Sequence, residues 1–234
     1  MSATLKSILG AVLGEAGFVV PTAFVGSSAP DDMQMVYIAR AATDAIIEEG
    51  LSENRRTATV TLTSSETYAL PSDFLGMVPD TANTQGEISR LRLPTGPEEW
   101  NFVRASGLLQ GSVIRARFIG GQLQVDAPVA GTVIMFEYLS DAMWTDGADP
   151  NIALKHPGAD IDVWGGDDRL LTLGVKWRWG KAKGLPDWQA DAAEYGAHLR
   201  SVRGRSHGSR AISFDAGDGD VSIAEPHANL WVTG

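Results

Sequence analysis

The chain has 234 residues, enough for one large domain or two small ones, and 44% of them are hydrophobic, so it can bury a real core. It has no cysteine, which excludes disulfides, thiolate metal sites and a cysteine nucleophile and suits folding in a reducing cytoplasm. A formal net charge of −10, from 29 acidic and 19 basic residues, argues against a broad nucleic-acid-gripping surface, because neutralising phosphates needs clustered lysine and arginine.

In chain order, Leu5, Ile8, Leu9, Val12, Leu13 and Ala16 recur at helical spacing. Glu15 interrupts the apolar run after Lys6, so the stretch predicts an amphipathic helix and not an export signal. No apolar stretch reaches membrane-spanning length. Gly17 and Pro21 break the chain into an irregular connector. Ser28, Pro30 and Asp31 then resemble a capping box, predicting a second helix that runs to about Glu49 and stops at Gly50. Its apolar residues fall on two stripes, Met33, Val36, Tyr37 and Ala41 on one and Met35, Ile38, Ala42 and Ile46 on the other, which predicts a helix sandwiched on both sides.

From Arg56 the period becomes two. Ala58, Val60 and Leu62 alternate with Thr57, Thr59, Thr61 and Thr63, as in a half-buried strand. Strand-like segments EISRLRL, SVIRARFI, QLQVD and TVIMFEYL follow, with Gly120-Gly121 as a tight hairpin turn and GPEEWNFVRA as a short helix. After Tyr138 the chain turns rich in Asp, Gly and Pro, which predicts a long loop carrying Trp144 and Trp164 as isolated apolar anchors. Asp167 and Asp168 open a helix that ends at Lys181, Lys183 and Gly184, and a further helix from DWQADAAEYGAHLRSVRG completes an antiparallel hairpin on the N-terminal helices. The class is therefore α+β, a helical bundle from the N- and C-terminal helices with an inserted β-rich domain and an extended C-terminal arm. The segments are 1–55, 56–140, a long loop at 141–166, 167–205 and the arm 206–234.

Signs of chemistry are weak. Gly204-Arg205-Ser206-His207-Gly208 fits G-x-S-x-G, with Asp215 and His227 following in the order of an α/β-hydrolase, but the preceding segment is helical and the partners lie in a polar tail. Asp215, Asp218 and Asp220 lack the glutamate that completes an EF-hand loop. His156, His198, His207 and His227 form no pair at metal-ligand spacing and have no acid or cysteine partner completing a site. KWRWGKAKG mixes basic and aromatic residues, yet helical spacing sends Leu170, Leu173 and Trp177 to a packed stripe and the basic groups to solvent. The expectation is no catalytic, cofactor or metal site.

The order of segments, with YALPSDF from Tyr68 to Phe74, the hairpin GGQLQVDAPVAGTVIMFEY and the C-terminal helical pair, resembles the head-to-tail adaptor (connector) proteins of tailed bacteriophages. YALPSDF itself reads as a strand ending at Pro71, with Asp73 bonding local backbone and Phe74 returning to the core. The chain departs from the pattern at Gly50, where relatives often carry tryptophan, and in a longer loop before Trp164. The resemblance implies a non-enzymatic virion protein of the neck, made in the host cytoplasm. It implies a ring, usually a dodecamer, that binds the portal protein and tail or nozzle proteins and lets double-stranded DNA pass through its lumen during genome ejection, without sequence-specific or membrane binding.

Within that frame Ile212, Phe214, Val221, Ile223, Leu230, Trp231 and Val232 are candidate partner-binding residues. They form three short apolar groups, too few for a core of their own. The arm is expected to be mobile in the free subunit and ordered in the assembly. Other head-completion or tail-tube proteins are the nearest alternative, and a carbohydrate-binding module using Trp100 and Trp144 as exposed aromatics is another.

Overall fold

The computed structural model describes residues 3–79, 81–85, 91–92, 97–106, 114–126 and 128–207. Thr4 accepts the backbone N–H of Ser7 at 3.2 Å and so caps α1 (Leu5–Glu15), whose Leu5, Ile8, Leu9, Val12 and Leu13 are buried as their spacing predicts. In α2 (Pro30–Glu48) Pro30 occupies the first turn, and Gly50 beyond its end takes a φ of 61°. The expected capping box at Ser28 is absent: the cap is Ala29, without a side-chain bond. Ser27 braces the entry instead, donating to Asp32 at 2.6 Å and accepting the Ala29 N–H at 3.2 Å, while Asp31 is drawn away to Lys183 at 2.6 Å.

A short 3-10 turn (Ser52–Asn54) leads into the β region. β1 (Arg55–Thr61), β2 (Thr67–Ala69), β3 (Phe74–Met77), β4 (Asn83–Gln85) and β5 (Leu91–Arg92) precede α3 (Pro97–Ser106), and β6 (Ile114–Ile119), β7 (Gln122–Asp126) and β8 (Val133–Ser140) follow it. β8 is the spine of one sheet, with β1 on one side and β3 then β4 on the other, all antiparallel. A second sheet runs β2-β7-β6-β5, its β6–β7 turn made by Gly120 and Gly121 at φ 58° and 72°. Both sheets contribute to one apolar cluster, Ala58, Leu62, Ile134 and Phe136 from the first and Ala116, Leu123 and Val125 from the second.

The supposed long loop carries a miniature sheet. β9 (Trp144–Thr145) is flanked by β10 (Ala153–Leu154) and β11 (Val163–Trp164), and Trp144 faces Trp164 across the ladder. The two tryptophans are thus partners and not isolated anchors, their rings 5.2 Å apart in the core of the helical part. Asp160 and Asp162 tie this region down: Asp160 accepts the N–H groups of Phe24 and Val25, both at 2.9 Å, and buried Asp162 accepts those of Gly147, Gly158 and Ala159.

α4 (Asp168–Lys183) and α5 (Trp188–His207) form the expected antiparallel hairpin, turning at Gly184 in the left-handed region (φ 66°). α4 is central, packing on α1, α2 and α5. The fold is the α+β mixture read from the sequence, but Ser206 and His207, assigned to the arm, belong to α5. No described helix is long and apolar enough to cross a membrane.

Candidate functional site

YALPSDF marks the hinge between the two strands that lead out of β1. The strand ends at Ala69, two residues earlier than expected, and the Phe74 N–H closes a turn on the Pro71 carbonyl at 3.0 Å. Asp73 does not bond local backbone through its carboxylate. It accepts the Tyr138 hydroxyl at 3.0 and 3.1 Å and the Ser140 hydroxyl at 2.6 Å, across more than sixty residues. Tyr138 is 6% exposed and Ser140 fully buried. Burial first, then the hydrogen bond to Asp73 and its negative charge, push the Tyr138 phenol up to about 12. Phe74 does return to the core, stacking on Phe118 at 5.5 Å and on Tyr138 at 5.6 Å and meeting the edge of Phe136 at 6.3 Å. This motif is an internal lock.

A second polar cluster joins the far ends of the helices. Asp167 caps α4 through the Leu170 N–H at 2.8 Å and accepts His198 at 3.0 Å and Arg205 at 3.3 Å from α5. Burial raises the Asp167 pKa, but the bonds from His198 and Leu170 and the positive charge of His198 and Arg205 outweigh it and hold the carboxyl below its ordinary value. The Asp167 N–H donates to Glu53 at 3.1 Å, and Arg203 pairs with Glu49. Ser206, the would-be nucleophile, sits in the last turns of this helix with its Oγ 3.0 Å from that of Ser52. A helix offers no strained strand-to-helix turn, so the setting that gives G-x-S-x-G its meaning is missing. Asp215 and His227 lie outside the described residues.

Two histidines do have acid partners that the sequence reading missed: His198 on Asp167, and His156 on Asp44 at 2.8 Å. The partners are 31 and 112 residues away, beyond any spacing rule. Among the described residues no group of three or more His, Cys, Asp or Glu is arranged to hold a metal ion.

Of the basic groups of KWRWGKAKG, Lys181 is exposed as expected, whereas Lys176, Arg178 and Lys183 are half-buried and engaged with neighbouring groups, a correction to their expected solvent orientation. Lys176 bonds Glu15 at 3.0 Å and Asp191 at 3.1 Å, and Lys183 bonds Asp31 and lies over Trp179 at 4.4 Å. Arg178 lies 4.5 Å from the ring centre of Trp177 and donates to the Gly174 carbonyl. Trp100 and Trp144, the aromatics a glycan module would expose, are 2% and 1% exposed, and the Trp144 indole donates to Thr43 at 3.1 Å.

What remains open is a face of α2. Of its second stripe Met35, Ala42 and Ile46 are buried against the bundle core, and Ile38 is partly buried against it. Of the first, Val36 is buried, but Tyr37 is 67% and Met33 44% exposed beside Pro30, Ile38 and Ala41 in a shallow apolar groove, so among the described residues the helix is not sandwiched on both sides. Ile212, Phe214, Val221, Ile223, Leu230, Trp231 and Val232 all lie outside the described residues.

No curated protein matches the chain. The model of the SU10 adaptor protein family matches residues 3–217, which takes in both helical segments, the whole β region and the root of the arm. The chain belongs to the SU10 adaptor protein family, whose name implies a structural adaptor of a phage.

Proposed function

We propose that this chain is one subunit of a head-to-tail adaptor ring, a dodecamer that joins the portal to the tail in the virion neck and encloses part of the DNA channel. It performs no reaction. The observation that carries the reading is the family match over nearly the whole chain. The open apolar face of α2 supports it, because Met33 and Tyr37 stay wet in one copy and become useful only when another chain covers them. The helical bundle then forms the ring wall and the β region projects towards the tail.

Each copy carries a charge of −10, so the ring repels duplex DNA and lets it slide. The arm from residue 208 is the tether. Val221 with Ile223, and Leu230 with Trp231 and Val232, dock in grooves of the portal or a neighbouring subunit. Free subunits are monomeric or weakly associated and close the ring on the portal. Light scattering of purified chain with and without portal tests this: growth to a ring-sized complex only with portal is expected, and tight salt-sensitive duplex binding by the free chain contradicts the passive channel.

A further inference from the structure

Among the described residues β1 pairs with β8 alone, so one side of a seven-residue strand has no ladder partner. The inward side is fixed by the Leu62 N–H on the Thr132 carbonyl at 2.7 Å and the Gly131 N–H on the Leu62 carbonyl at 2.9 Å. By alternation Ala58 and Val60 bond inward as well, and Thr57, Thr59 and Thr61 aim their N–H and C=O groups at the open edge. Arg56 covers only the beginning, donating to the carbonyls of Glu53 and Arg55 at 3.0 and 3.1 Å. An edge of this length that no described residue covers is a template for an extended chain.

The arm leaves the fold beside it. Ser206 bonds both the hydroxyl and the N–H of Ser52, at 3.0 and 3.3 Å, and Ser52 lies three residues before β1. Residues 208–210 span about 10 Å when extended, which brings the next residue level with the start of the strand. The segment Ala211, Ile212, Ser213, Phe214 alternates as a half-buried strand does. We propose that residues 211–214 of the same chain pair with the open edge of β1, parallel to it, as a fifth strand of the β8 sheet. Ile212 and Phe214 then fall on the face of Ala58, Val60 and Leu62, and Ser213 falls with the exposed threonines. Asp215 to Asp220, with two glycines, end the strand. The chain's own arm is favoured over a second copy because its exit point is already held at Ser52.

The pairing does not rest on the adaptor reading, and it leaves Leu230, Trp231 and Val232 for a partner. The test is residue-resolved amide exchange on the full chain, on a chain ending at His207, and on full-length Phe214→Asp, which serves if the truncated chain fails to fold. The amides of Thr57, Thr59 and Thr61 exchange about tenfold or more slowly in the full chain than in either variant, with Ala58 and Val60 unchanged and no dependence on protein concentration. Equal exchange in all three chains overturns the pairing, and so does protection that rises with concentration, which would give the edge to a second copy. Full particle attachment by a chain that lacks residues 221–234, with the edge still protected, would sink the tether alone.

Discussion

Asp73→Ala should be among the most damaging single substitutions outside the apolar cores. The carboxylate accepts from two buried hydroxyls, Tyr138 on β8 and Ser140 at its end. Hydrogen bonds to a charged group contribute about 1.5–3 kcal/mol each, and removing the acceptor leaves two desolvated donors. Relief of the carboxylate's own desolvation offsets part of the loss, so the expected cost is about 3 kcal/mol, against about 1.5 kcal/mol for Tyr138→Phe, which leaves the Ser140 bond in place. Urea denaturation of both single variants and the double variant should give a coupling of about 1–2 kcal/mol with unchanged slope. The phenol adds a pH signature. Its folded pKa is raised from 10.0 to about 12, so this contribution is complete below pH 10 and lost as pH rises through 12. A two-unit shift is worth about 2–3 kcal/mol, read as the difference between wild type and Tyr138→Phe across that window. A cost below about 1 kcal/mol for Asp73→Ala, or zero coupling to Tyr138, would refute the lock.

Asp167→Ala removes the α4 cap and strands His198 and Arg205, and the unfolding free energy from denaturant titration should fall by about 2 kcal/mol at neutral pH. Because the Asp167 pKa is lowered below 3.8, its contribution is present above that value and lost as pH falls through the folded pKa, so wild type and variant converge in acid. A Cβ at Gly147 would run into the carbonyl of Ile161, and Gly147→Ala should lower stability by about 2 kcal/mol or more in thermal melts. Met33→Asp with Tyr37→Asp should leave the melting of the free subunit within about 0.5 kcal/mol yet abolish ring formation on the portal in light scattering; rings that still form would free the α2 face from that role.

Long periodic elements were legible because their burial comes from neighbours on one face. Leu5 to Leu13, the alternation from Thr57 to Leu62 and the Gly120-Gly121 turn all lie where the sequence puts them. The two-residue strands around Trp144 and Trp164 are too short for any period to register, and the ring pair that joins them depends on closure of the nineteen residues between the two tryptophans. The sandwich expected of α2 failed because apolar stripes say what wants burial and not which chain supplies it. Asp73 was picked out by its motif, but its partners were not, because a carboxylate's long-range acceptors leave no local spacing. The same holds for Asp44 with His156 and Asp167 with His198.

The most direct measurement is image reconstruction of the intact virion at a resolution that traces this chain. The account predicts a closed ring of copies between portal and tail around the DNA channel, with α2 of each copy covered and the arm reaching the portal or a neighbour. Finding the chain in the tail tube, at the tail tip or in the capsid shell would contradict it.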